Sequence, residues 1–109
     1  MQLLEPQQEE WAVVDGLERY LVSSLGIVVN TERKRELTPS PDKNGYMRVG
    51  LSKNGRVYFV YVHRLVAKCF LEGYQEGTEV KHRDEDKTNN SVTNLMLGGG
   101  CRTGVVKNV

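Results

Sequence analysis

A chain of 109 residues has the length of one domain, and 39% hydrophobic with 27% charged residues is the composition of a folded globular protein rather than a disordered or fibrous one. No apolar run approaches the roughly 20 residues that span a bilayer, and the opening Met1-Gln2-Leu3-Leu4-Glu5-Pro6 lacks the basic region and apolar stretch of a signal peptide, so a cytoplasmic protein is expected. The net charge of +1 conceals a division: residues 31–68 hold nine Lys and Arg against three acids, net +6, whereas residues 1–30 hold five acids against Arg19, net −4.

Residues 9–30 place Trp11, Val13, Val14, Leu17, Tyr20, Val22, Leu25, Ile27 and Val28 on neither a 3.6 nor a 2.0 period, with Gly16 and Gly26 between them. Short strands and turns are expected there, with Gly26 in a tight turn before a strand at residues 27–29. Residues 31–43, polar and basic with Pro39 and Pro41, read as a surface loop that carries Arg33, Lys34 and Arg35. Next, Met47, Val49 and Leu51 alternate as a half-buried strand requires, and Asn54-Gly55 is a strong hairpin signal. Residues 56–62, rich in Val, Tyr and Phe, supply the return strand.

Leu65, Val66, Cys69 and Phe70 recur at helical spacing, which predicts a short amphipathic helix over residues 63–70. Gly73 and Gly77 end it, residues 79–81 resume an extended run, and residues 84–94 are polar enough to be a loop with at most one helical turn. Trp11, Tyr46, Phe59 and Phe70 are expected in the core as the aromatic payload of a small domain, with Cys69 beside them. Cys69 and Cys101 lack paired spacing, which argues against a disulfide framework, and with His63 and His82 they match no closed zinc pattern.

The chemistry concentrates in Val80-Lys81-His82-Arg83-Asp84-Glu85-Asp86-Lys87-Thr88-Asn89-Asn90-Ser91-Val92-Thr93-Asn94-Leu95. A histidine at the end of a strand can take a proton from water near neutral pH, as phosphodiester hydrolysis requires. Asp and Asn oxygens suit Mg²⁺ or Mn²⁺. Asn89 and Asn90 read either as functional groups or as turn chemistry, and Asn94 as a bridge that holds the loop shut.

The order of these motifs is similar to that of the HNH homing endonucleases of phages. Val62-His63-Arg64-Leu65-Val66-Ala67-Lys68-Cys69-Phe70, then Lys81-His82-Arg83-Asp84, Asn89-Asn90 and Asn94-Leu95 resemble the nuclease core. Glu10-Trp11, Gly16, Tyr20-Leu21-Val22-Ser23 and Leu25-Gly26-Ile27-Val28 resemble the DNA-binding motif that often precedes it. The resemblance spans residues 9–97 and implies an α+β fold: a small antiparallel sheet and hairpin module, then a ββα-metal core of the His-Me finger type.

It divides the chain into an N-terminal DNA-binding motif and basic loop at residues 1–44 and a hairpin, helix and HNH core at residues 45–109. It makes His82 the general base and Asn94 the middle Asn that stabilises the loop, with Asp84 as a supporting metal ligand, and His63 and Arg64 as structural or phosphate-contacting groups. The activity implied is metal-dependent hydrolysis of double-stranded DNA, with Mg²⁺ or Mn²⁺.

Two positions depart from the family pattern. Lys81 stands where an Asp or Asn commonly ligates the metal, and a protonated ammonium has no lone pair to offer. Thr103 stands where a second ligand is expected, and Gly98, Gly99, Gly100 and Gly104 disfavour the final helix by roughly 1 kcal/mol each. These departures support a second reading: a silent HNH scaffold that occupies DNA or binds a host protein. Phosphate contacts are expected from Arg33, Lys34, Arg35, Arg48, Lys53, Arg56 and Arg64, and two copies of the chain would be needed to cut both strands.

Overall fold

The computed structural model describes residues 9–75 and 77–98. The first four strands, β1 (Trp11–Val14), β2 (Leu17–Ser23), β3 (Val28–Asn30) and β4 (Arg35–Glu36), form one antiparallel sheet in sequential order. A second sheet takes β5 (Ser40–Pro41), β6 (Met47–Lys53) and β7 (Arg56–Tyr61), also sequential and antiparallel. Helix α1 (Val62–Phe70) follows β7 without a linker, and β8 (Val80–His82) pairs antiparallel with β9 (Leu95–Leu97) across a long polar loop. A 3₁₀ turn, Val92–Asn94, leads into β9. The α+β class is as the sequence implied. Residues 31–43 are not wholly loop, because β4 and β5 lie within them; two-residue strands are too short to leave a period in the sequence.

The hairpin between β6 and β7 forms because Asn54 and Gly55 both take left-handed backbone, φ 53° and 78°, as a two-residue type I′ turn demands. Lys53 pairs with Arg56, which fixes the register. Val49 and Leu51 of β6 therefore face inward together, where they meet Val62, Leu65, Val66 and Ala67 of α1. Val14, Tyr20, Val22 and Val28 of the first sheet and Val80 and Leu95 of β8 and β9 complete this core, so α1 is the element onto which all three sheets pack. Tyr20 adds a polar tie between sheets: its hydroxyl accepts from the Ser52 amide at 2.9 Å.

Two aromatics expected inside are outside. Trp11 is 44% exposed, because β1 is an edge strand that turns Ala12 and Val14 inward and Trp11 and Val13 outward. Phe59 is 63% exposed: it pairs with Gly50 on the outer face of the hairpin, where the missing Cβ leaves room for its ring beneath the Arg48 guanidinium. Phe70 and Cys69 pack against the core while partly exposed. Thr103, Cys101 and the expected final helix lie outside the described residues.

Candidate nuclease site

β8 ends on His82, and alternation along this strand turns Val80 and His82 inward and Lys81 outward. The His82 imidazole is buried, and its Nε2 lies 2.7 Å from Oδ1 of Asn90, itself buried. An amide oxygen only accepts, so Nε2 carries the proton and donates, which leaves the Nδ1 lone pair to take a proton.

The loop at residues 83–94 owes its shape to polar groups. Asp84 Oδ1 accepts from the Asp86 amide at 2.8 Å and from Asn94 Nδ2 at 2.9 Å, and its Oδ2 accepts from Asn89 Nδ2 at 3.1 Å. Those three donors, the Asp86 amide foremost, hold the Asp84 carboxyl below its ordinary value. Asn94 also donates to the Asn89 carbonyl at 2.8 Å, and its Oδ1 accepts from the Asp84 amide at 3.2 Å. Asn89, Asn94 and Asp84 thus close one knot, while Asn90 reaches the other way, to His82.

Near His82 also stand residues to which sequence reasoning gave little or no part. The His63 and His82 ring centroids are 5.2 Å apart, and Tyr46 stacks on His63 at 5.2 Å and lies 6.1 Å from His82. Tyr61 lies 5.6 Å from His63 and donates its hydroxyl to Asp42 Oδ2 at 2.7 Å, while the other Asp42 oxygen accepts from the Asn44 and Tyr46 amides. His63 is 5% exposed, and its Nδ1 is buried with no hydrogen-bond partner. Burial, reinforced by the nearby His82 and Arg64, lowers the His63 pKa to about 4, so this ring is neutral at physiological pH. Nothing local marks Tyr46 as a site residue; only the pairing of β6 with β7, which sets Arg48 opposite Tyr61 at the start of α1, brings it there.

A cleft of about 420 Å³ opens beside His82, lined by Tyr46, Glu79, Val80, Lys81, Glu85 and Lys87. Lys87 spans it, with Nζ 4.4 Å above the Tyr46 ring and donating to the Asn44 carbonyl at 2.8 Å. Among the described residues no three His, Cys, Asp or Glu side chains gather to hold a metal ion. Lys81 is exposed at the cleft and Asp84 commits its oxygens to the loop, so the described residues do not fit a divalent ion by themselves.

The basic residues singled out in the sequence are dispersed. Arg33 and Lys34 lie in the exposed turn between β3 and β4, with Arg35 opening β4. Arg56 is exposed at the hairpin; Lys53 donates to the Gly16 carbonyl at 2.7 Å, Arg64 to the Thr78 carbonyl at 3.3 Å, and Arg48 covers Phe59.

A strand-ending histidine bonded to one asparagine, beside a loop that a second asparagine closes, is the arrangement expected of an HNH fold, here set behind an N-terminal sheet. Comparison with known families agrees: a NUMOD4 motif matches residues 9–52 and an HNH endonuclease model matches residues 60–98. The DNA endonuclease I-HmuI of Bacillus phage SP01 is 45% identical over 87 residues, 79% of this chain and 50% of that protein. The H-N-H endonuclease F-TflII of Escherichia phage T5 is 32% identical over 91 residues, 82% of this chain and 47% of that protein. A solved structure of DNA binding and cleavage by the HNH homing endonuclease I-HmuI superimposes with a TM-score of 0.77 at 43% identity, covering 82% of this chain and 52% of the other. The chain thus carries a NUMOD4 motif followed by an HNH endonuclease domain and is homologous to these phage homing endonucleases. It spans about half the length of the relatives it matches. HNH nucleases as a class use a divalent metal. No helix among the described residues is long and apolar enough to cross a membrane.

Proposed function

We propose that this chain is an HNH-type endonuclease that hydrolyses phosphodiester bonds of double-stranded DNA with His82 as general base, in the cytoplasm of the host cell. The observation that carries this reading is the 2.7 Å contact between His82 Nε2 and Asn90 Oδ1, which supports a proton on Nε2 and Nδ1 as the base. Water gives a proton to Nδ1, its oxygen bonds to phosphorus, the bond from phosphorus to the leaving oxygen breaks, and that oxygen takes a proton from solvent water. Turnover requires Mg²⁺ or Mn²⁺, for which the described residues do not supply a full ligand set.

In this reading residues 1–44 and the hairpin hold the duplex, with Arg33, Lys34, Arg35, Arg48, Lys53, Arg56 and Arg64 at phosphates, and residues 45–109 carry the chemistry. One His82 cleft breaks one strand, so a double-strand cut requires a homodimer. Exposed Lys81 at the cleft, where a metal-ligating acid would serve hydrolysis, favours a second reading: a silent HNH scaffold that occupies DNA or binds a host protein.

Supercoiled plasmid with Mg²⁺ or Mn²⁺ separates the two. Relaxed or linear product is expected, abolished by EDTA and reduced roughly 10²–10⁴-fold by His82→Ala, the range that general-base catalysis contributes. DNA retarded on a gel without any cleavage would replace the nuclease by the silent scaffold.

A further inference from the structure

The turn at residues 23–27 of the N-terminal sheet is built against the residue that orients His82. Gly26 has φ +91°, and a Cβ placed on it would lie 3.0 Å from the Asn90 carbonyl oxygen and 3.1 Å from both the Asn90 carbonyl carbon and its Cβ. Beside it, the Val92 amide donates to the Ser24 carbonyl at 2.7 Å, the bond that joins the end of this loop to the first sheet. The turn itself is fixed from within. Fully buried Ser23 accepts at Oγ from the Leu25 and Ile27 amides at 3.1 and 3.2 Å, its own amide donates to the Ile27 carbonyl at 2.8 Å, and Ser24 Oγ accepts from the Glu10 amide at 3.0 Å.

Asn90 is therefore held from two sides: its backbone rests on Gly26, and its side-chain oxygen faces His82 Nε2 at 2.7 Å. A buried polar group in a low-dielectric setting keeps its geometry only while its partners stay in place. A displacement of Asn90 would free the imidazole to change tautomer or rotate.

We propose that the turn at residues 23–27 is a positioning element of the hydrolytic centre: through Gly26 and Ser24 it seats Asn90 and so sets the tautomer and orientation of His82. The N-terminal sheet then does more than hold DNA; without its turn, the general base is misdirected. This rests on His82 as the general base.

The test uses the full chain and four variants. Gly26→Ala inserts the Cβ against Asn90. Val92→Pro removes the amide that meets Ser24, at a position suited to proline: it opens the 3₁₀ turn, and Ser91 before it has φ −65° and ψ 142°; Val92→Ala, which trims the same partly buried side chain but keeps the amide, is read beside it. Gly77→Ala is the control, since Gly77 has φ +88° but nothing within 4 Å of an added Cβ, so it carries the backbone strain alone. The readouts are turnover and KM on plasmid, and the imidazole ¹⁵N resonances of His82, resolvable because the chain has two histidines.

Gly26→Ala is expected to lower turnover roughly 10²-fold, the loss that a shift of about 1 Å in a catalytic group produces, with KM unchanged and the His82 Nε2 signal shifted from its proton-bearing position. Val92→Pro moves both readouts in the same direction, and Val92→Ala and Gly77→Ala move neither. Wild-type turnover and His82 resonances in folded Gly26→Ala would overturn the proposal, as would an equal loss in Gly77→Ala. Should Gly26→Ala not fold, Val92→Pro decides on the same criteria. Should the wild type fail to cleave, the nuclease reading falls, while the His82 resonances still decide whether the turn seats Asn90.

Discussion

The β6–α1 region and the loop at residues 83–94 are held by different forces. Leu51, Val62, Val66 and Ala67 are wholly buried, and their attraction is that of apolar surface removed from water, which fixes proximity but not the direction of any atom. The loop keeps most of its side chains exposed and takes its shape from Asp84, Asn89 and Asn94, whose bonds fix donors and acceptors to within tenths of an ångström. His82 sits on the seam, with its backbone in the β8–β9 pair and its ring bonded to Asn90 and near Tyr46 and His63. The first region decides whether the chain folds, and the second where the His82 ring stands. Substitutions in the two should therefore separate stability from site geometry.

Leu51→Ala is the largest expected effect on stability. It removes a fully buried side chain at the centre of the core, and such truncations cost roughly 2–5 kcal/mol, a large part of the stability of a small domain. Urea unfolding would read this as a lower midpoint. Asn94→Ala comes next. It leaves the Asp84 amide, one Asp84 oxygen and the Asn89 carbonyl without this partner, at about 1–3 kcal/mol for each group that water does not reach. Its effect is local: amide exchange at Asp84 and Asp86 should quicken well beyond that of Val49 and Leu51. Uniform acceleration across both regions would mean that loop and core unfold as one.

A pH titration refines the contrast at its boundary. The folded His63 has a pKa of about 4 against an ordinary 6.5, because burial and the neighbouring His82 and Arg64 disfavour its charged form. Between those values the unfolded chain binds a proton that the folded chain does not. Stability is thus full above pH 6.5 and declines as pH falls toward 4. Asp42 and Asp84 act in a lower window: their carboxyls are held below 3.8, by Tyr61 and by the Asp86 amide respectively, so their contribution is lost only as pH falls below 3.8. His63→Phe, which keeps a ring against Tyr46 and His82, should flatten the decline between 6.5 and 4 and leave the lower one. An unchanged slope would show that another group binds the proton.

The same contrast explains what the sequence disclosed. The hairpin was legible because Asn54-Gly55 and the alternation of Met47, Val49 and Leu51 are local signals, and α1 because Leu65, Val66, Cys69 and Phe70 share a helical face. The strand expected at residues 27–29 from Gly26 and the apolar run after it lies one residue on, at Val28–Asn30. Exposure of Trp11 and Phe59 was not legible, since it depends on which strands lie at sheet edges and on Gly50 opposite Phe59, pairings between distant residues. In the site, His82, Asp84, Asn89, Asn90 and Asn94 stand within thirteen consecutive residues and invite a common reading. Tyr46, His63 and Gly26 come from three other segments, and only tertiary packing puts them at His82 or Asn90.

The smallest effects concern the basic surface. Arg33 and Lys34 occupy an exposed turn and Arg35 an exposed strand end, so replacing all three by Ala should change stability by less than about 0.5 kcal/mol per residue. If each meets a phosphate, the slope of log affinity for duplex DNA against log salt should fall by about 0.9 per residue. Lys53 differs, because its ammonium already donates to the Gly16 carbonyl and must leave that bond, or share it, to reach a phosphate. Lys53→Ala should therefore alter the slope less than any one of the other three. An equal drop would mean that Lys53 lets go of Gly16 on DNA, making the contact between hairpin and N-terminal sheet one that the duplex itself rearranges.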